Sequence, residues 1–193
     1  MTELQTGKWS TRSPSRHSGL EGELRGTAAL LLLGFAVALL HSRLNYSLGL
    51  PGHHGLELYT ALLFARLVTK RSWAAVTVAT GLVVGDLSLA ADFLHNLKHV
   101  PLYFLAGAIV DFAFMRLGPR CRFIPVAACI GALAHVSKPL IMTAVALATG
   151  AAFGFERHGP WLPIITHMAF GAIGAICGAI LARAWNQQRD VST

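Results

Sequence analysis

The segment Pro160–Ala184, PWLPIITHMAFGAIGAICGAILARA, decides the fold class. Across 25 residues it carries one charged side chain, Arg183. At 1.5 Å per residue, about 20 mostly apolar residues cross a hydrocarbon core of roughly 30 Å. The same test applied outward divides the chain into six apolar segments, near 26–48, 55–69, 73–91, 100–117, 123–150 and 160–184. The second is short, and the fifth is long enough to tilt or to kink at Pro139. Strand-like alternation is absent, and backbone groups in lipid must be satisfied within the spanning element. The expectation is an all-α membrane protein, a six-transmembrane-helix bundle in which short connections make sequential helices antiparallel neighbours.

Composition agrees with this reading. Of 193 residues, 54% are hydrophobic and 13% charged, whereas a soluble domain carries about 25% charged residues. Mean hydropathy is +0.54, and 19 glycines suit close contacts between membrane helices. A net charge of +7 would suggest nucleic acid in a soluble chain. Here the basic residues punctuate apolar runs and form no patch with interleaved aromatics, so no nucleic-acid partner is expected. Residues 1–25 are polar and read as a mobile basic tail ending in a short surface helix, residues 26–185 as the transmembrane domain, and 186–193 as a second tail. The first apolar run follows a long tail without a small-residue cleavage site and is expected to remain as a spanning helix.

Counting Lys and Arg in alternate connections sets the orientation. One side holds Lys8, Arg12, Arg16, Arg25, Arg66, Lys70, Arg71, Arg116, Arg120, Arg122, Arg183 and Arg189; the other holds Arg43, Lys98 and Arg157, with Lys138 inside the fifth span. The positive-inside rule then places both termini in the cytoplasm of a multi-pass protein of the inner or plasma membrane. Cys121, Cys129 and Cys177 fall in or near the cytoplasmic half and read as free thiols. Gly34-x-x-x-Ala38, Gly81-x-x-x-Gly85 and Gly174-x-x-x-Gly178 have the small-residue spacing that permits close helix contact.

Eight of nine histidines fall on the outer half. His53 and His54 lie in the first outer loop, His95 and His99 in the second and His158 in the third; His41, His135 and His167 lie within spans, and His17 is cytoplasmic. Glu57, Asp86, Asp92 and Asp111 are assigned to the same region. An ionisable group costs at least ~2.5 kcal/mol at the bilayer centre, so these side chains should face the bundle interior or a water-filled cavity. One reading is an outward-facing substrate pocket lined by His41, His53, His54, Glu57, Asp86, Asp111, His135, Lys138 and His167. The other is an internal ion-pair network in which Lys138 neutralises Asp111 or Asp86.

His95-x-x-x-His99 places two imidazoles on one helical face, and Asp92 would complete three ligands for a divalent transition metal, held as cargo or cofactor. Lys98 opposes a cation there, and interfacial histidines without a metal are the alternative. Leu50-Pro51-Gly52-His53-His54-Gly55 reads as a turn able to bend over the bundle, or as a tight interhelical connection. HExxH, GxSxG and P-loop signatures are missing, which argues against common zinc peptidases, hydrolases and nucleotide motors.

In its six short helices, its Leu50-Pro51-Gly52-His53 loop before the Gly/Ala-rich hairpin Ala61 to Gly85, and its terminal run His167 to Ala175, the chain resembles a substrate-binding S component of an energy-coupling factor (ECF) transporter. That resemblance implies uptake of a scarce small molecule or metal, with a transmembrane coupling protein and a pair of ATPase subunits as partners. The family's small-residue face on the first helix would correspond to Gly34-x-x-x-Ala38. Nickel and cobalt members begin Met-His, whereas this chain begins Met1-Thr2, so a metal cargo would be held differently. A membrane metalloenzyme using the outer histidines and a non-catalytic accessory subunit are the competing classes.

Overall fold

The computed structural model describes residues 16–44, 50–89, 93–150, 159 and 161–191. All elements among them are helical: α1 (Arg16–Leu44), α2 (Gly55–Val68), α3 (Ala74–Leu89), the short α4 (Phe93–Leu97), α5 (Val100–Leu117), a 3-10 turn (Gly118–Arg122), α6 (Ile124–Thr149) and α7 (Trp161–Val191). Four stretches are long and apolar enough to cross a membrane: Glu21–Arg43, Val100–Arg122, Ile124–Thr149 and Trp161–Val191. Helix α3 is apolar but shorter, and α2, with 14 residues, extends only about 21 Å.

Two helices are longer than their apolar runs. Helix α1 already begins at Arg16, so residues 16–25 belong to a helix, while the rest of the expected basic tail lies outside the described residues. The Arg71 guanidinium fastens this extension, donating to the carbonyl of Glu23 (2.6 Å) and to the Thr27 hydroxyl. Helix α7 continues to Val191, through most of the expected second tail, and Trp185 on it meets Phe64 of α2 edge-on at 6.2 Å.

The short helix is the central one. Helix α2 packs against α1, α3, α5, α6 and α7, and buries Tyr59, Leu62 and Leu63. The outward faces of the longer helices are apolar instead, with Leu32, Phe112, Leu133, Leu147 and Ile165 exposed as lipid-facing residues. Because lipid is as apolar as these side chains, hydrophobicity alone does not hold helices together in it; close packing and hydrogen bonds must. Here glycines supply the closeness. Gly34 of α1 lies against the Val78 carbonyl of α3, Gly81 against the Leu31 carbonyl of α1, and Gly85 against Ala38, so the first two small-residue spacings face each other. Gly131 of α6 and Gly171 of α7 each abut the other's carbonyl. Gly174 and Gly178 admit α2, where the Thr60 hydroxyl lies 3.1 Å from the Gly174 carbonyl oxygen.

The bundle has two chemically distinct ends. Arg66, Arg71, Arg122 and Arg183 gather at one, where Arg183 donates to the Arg122 carbonyl (2.9 Å). His41, His53 and His54 gather at the other. Buried between α2, α3 and α5, the Asp111 carboxylate lies 3.0 Å from Arg66 Nε and accepts from the N–H groups of Ala75 (3.2 Å) and Val76 (2.9 Å). The cysteines are free thiols, with Cys121 buried and Cys129 exposed.

Placing a methyl group at the α1–α3 contact tests this packing. Gly81→Ala drives Cβ into the Leu31 carbonyl and is expected to cost about 1–3 kcal/mol, read as a lower Tm in detergent. Gly22→Ala, where nothing crowds the added atom, should leave Tm unchanged or raise it.

Candidate functional site

At the histidine end, α1, α2, α3, α5 and α6 enclose a cavity of about 50 Å³. A single water requires roughly 10–15 Å³ on this measure, so the space suits a few waters. Its polar lining comprises His41 from α1, His54 before α2, Glu57 and Tyr59 on α2, Asp86 on α3, His99 and Tyr103 at the start of α5, and His135, Ser137 and Lys138 on α6. Apolar Val37, Leu58, Leu82 and Leu102 complete the wall.

The turn Leu50–Gly55 sits over this chemistry and is held down by it. Gly52 adopts φ +84°, a left-handed conformation that favours glycine. Its carbonyl accepts from His135 Nε2 at 2.9 Å, across a sequence separation of 83 residues. A Cβ at Gly52 would meet the His167 ring, and one at Gly55 would meet His135. His167 stacks on His135 with ring centroids 4.5 Å apart and donates from Nδ1 to the Pro163 carbonyl at 2.7 Å. His53 donates from Nδ1 to the Leu50 carbonyl at 2.9 Å. These bonds fix the donor nitrogen of each ring, leaving His135 Nδ1, His167 Nε2 and His53 Nε2 as lone-pair acceptors when neutral.

On the other side of the turn, His41 Nδ1 lies 3.2 Å from Glu57 Oε2, joining α1 to α2. His54 meets His41 edge-on (4.0 Å between centroids) and His53 at a tilt (3.8 Å). Partial desolvation, with the His41 and His53 imidazoles beside it and Lys138 and His135 further off, pushes His54 down to about 3. It is therefore neutral across the physiological range.

Asp86 on α3 and Lys138 on α6 both line the cavity. No ion pair joins Asp86 to Lys138, unlike Arg66 and Asp111 at the other end. Lys138 precedes Pro139, which lies inside α6. Proline lacks an N–H, so the His135 carbonyl loses its helical donor beside the cavity.

Of the nine residues assigned from sequence to a substrate pocket, the structure brings His41, His54, Glu57, Asp86, His135 and Lys138 to the cavity wall. His53 packs outside on His54, and His167 stands behind His135. Asp111 is misplaced by the sequence reading: it sits at the basic end with Arg66, so Lys138 does not neutralise it. The small-residue face Gly34/Ala38, expected to meet a coupling protein, is occupied by α3. Of the expected metal set, His99 lines the cavity, whereas Asp92 and the His95 side chain lie outside the described residues. Among the described residues, no group of three or more His, Cys, Asp or Glu is arranged to hold a metal ion. Sequence reasoning missed Tyr59, Tyr103 and Ser137; Tyr103 follows His99 by one helical turn, a spacing that identifies it once α5 is placed.

No protein-family model, curated protein or solved structure matches the chain. The site is therefore read from its geometry.

Acid should weaken the fold through His54. In the unfolded chain this imidazole takes up a proton below about pH 6.5, but in the folded protein only near 3. Between those values the unfolded state binds more protons, so stability falls as pH falls. Thermal scans at pH 7.5 and 5.0 should show a smaller acid-induced drop in Tm for His54→Asn than for the native protein.

Proposed function

We propose that the chain is the membrane-embedded substrate-binding subunit of an uptake transporter of the energy-coupling factor type, capturing a compact polar molecule in the cavity beneath the Leu50–Gly55 turn. The observation that carries this reading is that Asp86 and Lys138, of opposite charge, line one cavity without an ion pair between them. Opposite charges held apart in a low-dielectric interior gain most from a ligand that offers complementary charges to both. A bare cation would be attracted by Asp86 but opposed by Lys138, so a small molecule bearing both a cationic and an anionic group, or a heterocycle with donors and acceptors, fits better.

Such a cargo exceeds the space of a few waters, and binding requires the turn to move. The turn is tied to α6 by one hydrogen bond, to His135, and its other contacts are ring contacts with His41, His135 and His167. In this reading all six longer helices cross the bilayer, the histidine end faces outside, and the basic end faces the cytoplasm, in line with the charge bias. Energy would come from partner ATPase subunits through a coupling protein.

Two measurements test the reading. Mass spectrometry of the purified protein identifies the retained small molecule, and Asp86→Asn and Lys138→Met should each weaken its binding about tenfold or more. Unchanged affinity in both variants removes the cavity as the binding site. For topology, with the native cysteines replaced, an impermeant thiol reagent applied outside should modify Arg157→Cys and spare Arg120→Cys. The opposite labelling pattern reverses the orientation.

A further inference from the structure

The end of the bundle opposite the cavity carries a second concavity that shares no lining residue with it. A cleft of about 660 Å³ opens between the end of α2, the Gly118–Arg122 turn and the last turns of α7. Lys70, Arg122 and Arg189 line it together with a single carboxylate, Asp190, while Arg66 in its wall is matched by Asp111. Cations therefore exceed anions. A neighbouring groove of about 440 Å³ shares Leu67, Pro119, Arg122, Asn186 and Asp190 with the cleft and runs on past Arg183 and Gln187 to apolar Phe123, Ala179 and Ala182. Basic and apolar surfaces are thus continuous.

Their depth is fixed by two features. The cleft lies where two membrane-length stretches end and begin, Val100–Arg122 and Ile124–Thr149. Exposed Trp73, Phe123 and Trp185 at the same end are the aromatic residues that favour the headgroup level of a bilayer. A basic recess at headgroup depth that opens on an apolar groove matches an amphiphile with an anionic head.

We propose that this cleft binds an anionic phospholipid, its headgroup phosphate held by Lys70, Arg122 and Arg189 and an acyl chain lying in the groove beside α7. Arginine contributes a planar donor fork suited to phosphate oxygens, and lysine a mobile point charge. A free phosphate ion shares the head chemistry but gains nothing from the apolar groove.

The test uses the full chain in nanodiscs of phosphatidylcholine with or without phosphatidylglycerol, read by thermal unfolding and by lipids retained in native mass spectrometry. The native protein should retain phosphatidylglycerol in preference to phosphatidylcholine and gain Tm in its presence. Each basic residue removed should lower that preference roughly 5-fold, so the Lys70→Gln/Arg122→Gln double variant should lose most of it. The control Arg25→Gln/Arg43→Gln, with the same charge change outside the cleft, should keep it. If the double variant does not fold in phosphatidylcholine, Arg189→Gln alone provides the same comparison at one-residue scale. Equal retention of both lipids, native behaviour of the cleft variants, or equal loss in the control overturns the proposal. Inorganic phosphate that reproduces the full Tm gain in pure phosphatidylcholine also overturns it, assigning the cleft to a soluble anion.

Discussion

One buried carboxylate organises three helices. Asp111 projects from α5, accepts two N–H groups at the start of α3 and pairs with Arg66 near the end of α2. A helix start inside a bundle has donors without intrahelical acceptors, and lipid offers none. Asp111 satisfies two of them and at the same time balances a guanidinium that also lies over the Phe114 ring at 5.1 Å. Removing either partner strands the other in a low-dielectric interior, so α2, α3 and α5 are committed to one arrangement. A second polar contact of α2, between Glu57 and His41, fastens its opposite end to α1. A helix with a charge tied down at each end and an apolar middle can occupy the centre of the bundle despite its length.

The same arrangement explains what the sequence could and could not disclose. Apolar length located every long helix to within a few residues except at the start of α1 and the end of α7, where polar helical turns protrude beyond the apolar runs. Small-residue spacing located contacts because helices approach closely only where side chains are small, and all three spacings lie at such contacts. Their partners were not readable, since spacing says nothing of which neighbour fills it. Of the histidines assigned to one end, His41, His53, His54, His99, His135 and His167 do gather there, because topology brings alternate connections together, while His158 and the His95 side chain lie outside the described residues. Asp111 went to the wrong end because its depth within α5 was judged from position along the chain, while Arg66 was counted only as a topology charge. Tyr59 was hidden because one aromatic in an apolar helix carries no polar pattern.

Within the cavity, the placement of Lys138 follows from Pro139. Proline leaves the His135 carbonyl without its helical donor, so backbone and side-chain polarity coincide on one turn of α6. Asp86 and the His41–Glu57 pair, which line the same cavity, belong to helices that glycine contacts hold close. The polar groups are thus carried by helices, and the Leu50–Gly55 turn, through its contacts with His135 and His167, joins the first third of the chain to the last third.

The dependence of α2 on α7 bears on how the chain enters the bilayer. Helix α2 is too short to span unaided, carries Glu57 and Arg66, and has its largest fitted surface against Gly174 and Gly178. Those glycines leave the ribosome more than one hundred residues after Gly55. During synthesis α1 and α3 can pair at once through their own small residues, but the seat of α2 is completed only when α7 has been made. The seat of α2 in the native bundle is thus incomplete without the final helix. Ribosome stalling or truncation between α6 and α7 would leave α2 as the point where quality control recognises the chain.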